Sequence, residues 1–526
     1  MFVFYDTETT GLEQDFSQIL QIALVFTDDD LNILSSKKLE SRRSPWVVPA
    51  PGALLTTGFV PDDLKNNEYS HYEMMQKIYD WVRGQHWPLT FVGYNSMGYD
   101  EPVLAQNLYQ NLLDPHLTLA GNGANDQSNG RADVMTGVKA VALYMPGVLK
   151  LDIMTPSGKN PSVSLKNVAQ QNGVSLSDDD AHDAMNDIKA TVGVAKLLKK
   201  AAPQIWEQLL SLSTSKGVDE FLAAHEVFTY ATTSYGKSVA SVVTALPEKE
   251  NGVTQSLFDL SIDPTPYLSM TVEQLKNVFL SKDKQKPLVP LNKSNQPILM
   301  PMDQSEAVIP ATYDEKLYAD RAQMIKSNAV FLDNVAEASL LVQKEKVASA
   351  QKALPEMMID QPVAAPVKQK IDQWMKEFRA ASDWHKSAEL IQDFYVRFKD
   401  DLVADPSLSR FVKFAGRIVY ENAPQELSQE KRKAMKEHIA ARLLNPDDKA
   451  SYMTLAKARK ELEQIEKERV GGKKWADVTD NQIRTLKLYY TSLEKEYAAF
   501  YTPPKPPVND NGAAKPNASK KPDPQP

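Results

Sequence analysis

Three strand-like runs open the chain: FVFY at 2–5, LQIALVFT at 20–27 and LNILSSKKL at 31–39, separated by short polar breaks. Their β-branched and aromatic content, and their length, predict strands. The break DDDLN at 28–32 predicts a hairpin-like connection. A fourth strand is expected at LTFVGYN, 89–95, and helices at about 70–84, 98–113, 132–144 and 183–200. In the last of these, Ile188, Val192, Ala195 and Leu198 recur at helical spacing while Lys189, Lys196 and Lys199 face elsewhere. Antiparallel strands followed by strand–helix alternation predict an α/β unit, a mixed sheet with helices packed on it, over residues 1–200.

The remainder changes character twice. Between 201 and 352, HEVFTYATTSYGKSVASVVTALP and TQSLFDLSI read as strands and TVEQLKNVFLS as a helix. KPLVPLNKSNQPILMP holds four prolines, which suits edge strands and turns. A smaller barrel-like β domain with helical additions is expected there. From 353 to 502 the pattern is mostly helical, and its alternating charges read as solvated faces. Residues 503–526 carry eight prolines and few apolar side chains, the composition of a disordered tail. At roughly 150 residues per domain, 526 residues fit this multi-domain division.

Charge is unevenly spread. Residues 1–200 carry 16 basic and 24 acidic side chains (−8), 201–350 carry 13 and 18 (−5), and 351–526 carry 31 and 26 (+5). A polyanion is repelled by the first part unless cations bind there, and attracted by the last. The absence of cysteine excludes disulfides, thiolate metal sites and cysteine nucleophiles. No apolar stretch approaches the ~20 residues of a membrane helix, and the N-terminus lacks a signal peptide's basic start. A cytoplasmic protein that does not engage a membrane is expected.

Asp6 and Glu8 in FVFYDTETTG lie two apart at the end of a strand, so their carboxylates share a face. Like charges that close are unfavourable unless a cation lies between them, and oxygen-only donors favour Mg2+ or Mn2+. A pair of solvated carboxylates would look the same. Asp100, after VGYNSMGY, enters a helix, where it could equally serve the helix dipole. In HDAMND, His182 precedes a helix that carries Asp187, and Asp183 is the competing N-cap. Five residues apart, His182 and Asp187 need not share a helix face.

The ordered set D-x-E, D, H-x4-D resembles the DEDD-type 3′–5′ exonucleases in their histidine-containing branch, carried by Asp6 and Glu8 in YDTETTG, Asp100 in YNSMGYD, and His182 with Asp187 in HDAMND. TTGFVPDDL at 56–64 resembles a further segment of that branch. Downstream, RADVMTGVKAVALYMPG, HDAMNDIKATVGVAKLL, NKSNQPILMP and, more loosely, FAGRIVYENAP with Arg417 resemble the longer, bacterial single-strand-specific DNA exonucleases within it. PSVSLKNV departs from their pattern, since Ser164 stands where the basic residue is expected.

The resemblance implies a ribonuclease-H-like exonuclease domain, an SH3-like domain and a C-terminal helical domain enclosing a groove for single-stranded DNA. It implies two Mg2+ ions, with Mn2+ as a substitute, on Asp6, Glu8, Asp100 and Asp187, and His182 as general base. Glu8, Thr9, Tyr99 and Arg417 become candidate substrate contacts. FYVRFKD (394–400) and RFVKFAGR (410–417) interleave aromatic and basic residues as a single-strand track does, or as an amphipathic helix does. The C-terminal tail of single-stranded-DNA-binding protein is the implied partner, and a monomer the implied state. Two rival readings stay open: a 3′–5′ exoribonuclease or proofreading exonuclease, and an inactive nucleic-acid-binding scaffold.

Overall fold

The computed structural model describes residues 1–119, 128–175, 183–234, 237–247, 255–283, 286–348, 354–358, 362–472 and 475–503. The opening runs form β1 (Phe2–Thr9), β2 (Ile19–Thr27) and β3 (Ile33–Glu40). With β4 (Thr90–Gly93) and β5 (Gly130–Asp133) they build a sheet of order β3-β2-β1-β4-β5. β1 is antiparallel to β2 and parallel to β4, which is parallel to β5, so the sheet is mixed as expected.

β2 is buried throughout and β1 nearly so. Successive side chains point to opposite faces, so both faces must be covered. On one face Phe4, Ala23 and Val25 meet Val138, Ile188, Val192 and Trp206 from helices Val134–Tyr144, Ala184–Ala201 and Pro203–Ser211. On the other, Val3, Tyr5 and Leu24 meet Met75 and Ile78 of helix His71–Arg83 and Val103 and Leu104 of helix Asp100–Gln110. The first helical face is the one that carries Asp187, and the second carries Asp100.

Three boundaries differ from expectation. β1 continues past its apolar run to Thr9. β4 stops at Gly93, shortly before Asn95, whose φ of 62° is left-handed. β5 occupies the start of the stretch read as helix from 132, because GRAD has no apolar run to mark a strand. The helix there begins at Val134, with the Asp133 carboxylate accepting from Met135 N at 2.9 Å.

β6 (Phe228–Ser234), β7 (Lys237–Ala245), β8 (Gln255–Asp259), β9 (Leu288–Leu291) and β10 (Ile298–Pro301) form a second sheet, order β10-β6-β7-β8-β9, paired antiparallel throughout. The proline-rich stretch supplies β9 and β10, its two edges, where a missing N–H is tolerated. Leu275, Tyr318 and Phe331 from three helices pack on Val242 and Phe258 of this sheet.

The C-terminal helices close onto the first unit in two places. Trp374, Phe378, Phe394, Phe398, Phe411 and Phe414 form a core with Tyr72 and Tyr109. Ile439, Leu443, Leu462 and Tyr490 form another with Leu20, Val48, Leu54 and Leu64. Four of the five aromatics in the two interleaved stretches are thus core residues, which the amphipathic reading accounts for; only Tyr395 is exposed, at 50%. No helix among the described residues is long and apolar enough to cross a membrane. The tail beyond Pro503 lies outside the described residues.

Candidate active site

β1 sets the site by its alternation. Phe2, Phe4, Asp6 and Glu8 point to one face, Val3, Tyr5, Thr7 and Thr9 to the other, and only Asp6 and Glu8 among these escape full burial. The register with β2 shifts between Glu8, opposite Gln21, and Thr9, opposite Ile19, a local irregularity at the end of the strand where it meets the cleft.

Across the first face stands helix Ala184–Ala201, whose first turn carries Asp187. One carboxylate oxygen from each of Asp6, Glu8 and Asp187 lies within 4.8 Å of the others. The helix start is held from three sides. Asp183 is the N-cap, accepting from Met185 N at 3.0 Å. The Ala184 N–H donates to Gln21 Oε1 at 2.8 Å, and Lys38 Nζ donates to Asp183 Oδ2 at 2.7 Å. Gln21 also donates from Nε2 to Glu40 at 2.8 Å, so β2 and β3 fix the helix that brings Asp187 to β1.

Asp100 reaches the site from the opposite face. It is 8% exposed, and Thr7 Oγ1 donates to its Oδ1 at 2.6 Å. It is not among the three groups within 4.8 Å, yet its charge is felt there. Burial, then the charges of Asp100, Glu8 and Asp187, push the Asp6 carboxyl well above the ordinary carboxylate range. Burial, then Asp187 and Asp100, push Glu8 to about 8. Burial raises Asp100 to about 6 against the hydrogen bond from Thr7. All the main influences on Asp6 and Glu8 are upward, the electrostatic signature of oxygen donors gathered for a cation.

Beside Glu8 opens a cavity of about 420 Å3, lined also by Thr9, Leu12, Trp46, Tyr99 and Trp475. Thr9 Oγ1 lies 2.6 Å from Tyr99 Oη and donates to Gly11 O at 2.9 Å; Tyr99 Oη also donates to Gly11 O. Arg417 sits elsewhere, buried in the helical region, with its Nη2 2.7 Å from Glu356 Oε1. His182 lies outside the described residues.

Sequence reasoning missed Thr7 and Gln21. Both were visible as polar residues inside apolar strands, Thr7 between the two acids and Gln21 within ILQIALVFT. Leu12, 85% exposed at the cleft mouth, carried no comparable signal.

Fold and site together define an exonuclease: the family model described as "Exonuclease" matches residues 3–195, the part that holds Asp6, Glu8, Asp100 and Asp187. Exodeoxyribonuclease I of Buchnera aphidicola subsp. Schizaphis graminum is 24% identical over 358 residues, covering 66% of this chain and 71% of the relative. That of Escherichia coli K12 is 27% identical over 289 residues, 52% of this chain and 57% of the relative. Exonuclease I of Methylocaldum szegediense shares the fold with a TM-score of 0.71 at 20% identity, over 94% of this chain and 99% of that one. In sequence the chain is thus similar to exodeoxyribonucleases I, and in fold to exonuclease I.

Proposed function

We propose that the chain is a single-strand-specific 3′–5′ exodeoxyribonuclease, releasing nucleoside 5′-monophosphates with two divalent cations in DNA repair and recombination. The observation that carries this reading is the meeting of Asp6, Glu8 and Asp187 within 4.8 Å, with Asp100 held by Thr7 close enough to raise the proton affinity of Asp6 and Glu8. An all-oxygen donor set suits Mg2+, with Mn2+ as a substitute. Asp6, Glu8 and Asp187 would hold one ion, and Asp6 with Asp100 the second. Bound there, the ions would balance charge on the attacking and leaving oxygens and lower the pKa of water.

The chain's own groups do the rest. His182, one residue ahead of the N-cap Asp183, takes the proton from the attacking water. Water adds to phosphorus as the bond to the 3′-oxygen breaks. Thr9 and Tyr99, whose hydroxyls both donate to Gly11 O, wall the cleft against which the terminal nucleotide seats. Among the structural neighbours, E. coli exonuclease I is described in complex with a dA16 oligonucleotide, and SSB/exonuclease I as a pair. These support single-stranded DNA and the tail of single-stranded-DNA-binding protein as partners. On this reading the chain is a cytoplasmic monomer, with domain boundaries near residues 200 and 352.

A time course on 5′-labelled single-stranded DNA, duplex DNA and RNA, each with Mg2+ or EDTA, tests direction, strandedness, sugar and metal together. Ladders shortening from the 3′ end of the DNA single strand alone, and only with Mg2+, are expected. Equal digestion of RNA would favour the exoribonuclease reading.

A further inference from the structure

The sequence stretches RADVMTG and NKSNQPILMP hold none of the four acids of the site, yet the two meet in the structure. Gln296, in the turn between β9 and β10, makes the contact. It follows the short 3-10 turn Lys293–Asn295 in the left-handed region, at φ 44° and ψ 74°, and is 3% exposed. A residue other than glycine stays in that region only where its surroundings hold it. Here both ends of its amide are held. Oε1 accepts from Asp133 N at 2.7 Å, and Nε2 donates to Leu209 O at 2.8 Å. Asp133 ends β5 of the first sheet, and Leu209 lies on helix Pro203–Ser211, which packs on that sheet. The second sheet is thus pinned to the first by one buried side chain.

Asp133 passes the contact on. It is 4% exposed and pairs with Gly93 at the end of β4. Its Oδ1 accepts from Met135 N at 2.9 Å and Thr136 N at 3.4 Å, which starts helix Val134–Tyr144. The same oxygen accepts from Asn95 N at 2.9 Å. Asn95 is the left-handed residue that follows β4, and a tight turn begins there. Gly98 N donates to Asn95 O at 3.3 Å and Tyr99 N to Ser96 O at 3.2 Å. A Cβ on Gly93 would lie 2.3 Å from Ser96 Oγ, so the turn closes only over glycine. Tyr99 then opens the helix whose first residue is Asp100.

We propose that Gln296 and Asp133 are positioning residues for Asp100: the second sheet, through Gln296, holds Asp133, and the Asp133 carboxylate fixes the turn that aims Tyr99 and Asp100 into the cleft. The inference rests on the nuclease reading above and makes one of its two cation sites depend on a residue of the second sheet. Thr7 holds the Asp100 side chain from across the sheet, and Asp133 holds the backbone that carries it. Carboxylates that bind a cation well are those whose orientation is set by such outer partners. Asp133 could act instead through its charge, which also reaches Asp100. An amide at position 133 separates the two, since it keeps the acceptor and removes the charge.

The test compares full-length Gln296→Met, Asp133→Ala and Asp133→Asn with the wild type, folding being checked by thermal melting. In EDTA, deuterium exchange of the peptide from Asn95 to Asp100 should quicken in Gln296→Met and Asp133→Ala. In a Mn2+ titration with dT30 present, one of two ions should bind on the order of tenfold less tightly while the other holds. With Mg2+, kcat on dT30 should fall on the order of tenfold or more, and KM should not move. Asp133→Asn should recover most of each loss. A folded Gln296→Met with wild-type exchange, Mn2+ affinity and kcat would overturn the proposal. So would equal weakening of both ions, a change in KM alone, or an Asp133→Asn no better than Asp133→Ala. Should Gln296→Met not fold, Gln296→Asn, one methylene too short for both bonds, takes its place with the same expectations. If the wild type cleaves nothing, the nuclease reading fails, and the exchange and Mn2+ comparisons still decide the positioning.

Discussion

Neutralising Glu8 should stabilise the metal-free protein while abolishing its activity. The Glu8 carboxyl is raised from 4.5 to about 8 by burial and by the Asp187 and Asp100 charges. At about 1.4 kcal/mol per pKa unit, this difference is about 5 kcal/mol. Solvent reaching the partly exposed carboxylate screens it, leaving about 2–3 kcal/mol. The sign follows from linkage: a carboxyl whose folded pKa is raised binds its proton more tightly in the folded state. The destabilisation is therefore absent below about pH 4.5, grows between 4.5 and 8, and is complete above 8. Glu8→Gln should raise the melting temperature of the nuclease region in EDTA at pH 8.5 by about 5–10 °C, and change little at pH 4. Excess Mg2+ should stabilise the wild type and do less for the variant. Melts in EDTA and in Mg2+ at both pH values measure all of this. A variant no more stable than wild type at pH 8.5 in EDTA would refute the crowding of charge on which the argument rests.

His182→Ala should lower turnover by roughly 10²–10⁴-fold with metal binding retained; an unchanged pH–rate profile would remove His182 as the base. Glu356→Ala would leave the Arg417 and Arg442 guanidiniums buried without their shared anion, a loss of about 3–5 kcal/mol that denaturant melts would register. Burial alone would raise Glu356, but the two arginines hold it at about 2, so its contribution is present above about pH 4.5 and is lost as pH falls toward 2. Glu421 is the opposite case. Burial raises it to about 7 against the hydrogen bond from Ser44. Glu421→Gln should therefore stabilise the protein above pH 7 and not below pH 4.5, and equal melts at pH 8 would count against that.

The legible parts of this chain were those where one physical signal dominates. β2 reads as a strand because all nine of its residues are buried between two helical layers and had to be apolar or locally satisfied. Helix His71–Arg83 reads from its periodicity and from Ser70 and Glu73, which form a capping box. β5 was not legible, since four residues in a sheet edge need no apolar run of their own. In the site, Asp6 and Glu8 were legible from strand alternation alone. Asp100 and Asp187 were legible only through resemblance, because what brings them in is tertiary: Thr7 across the sheet for one, Gln21 and Lys38 at a helix start for the other. Arg417 shows the limit. Its motif marked it, but nothing in the motif foretold Glu356, which lies 61 residues away and takes its guanidinium.

The most direct test of the central claim is a Mn2+ titration, followed by electron paramagnetic resonance, of the wild-type protein and of Asp187→Ala. The wild type should bind two ions in the presence of a single-stranded oligonucleotide. The variant, with an unchanged far-ultraviolet spectrum, should lose at least one of them together with cleavage. Two ions bound with undiminished affinity by the folded variant, and cleavage at the wild-type rate, would mean that these carboxylates meet for some other reason.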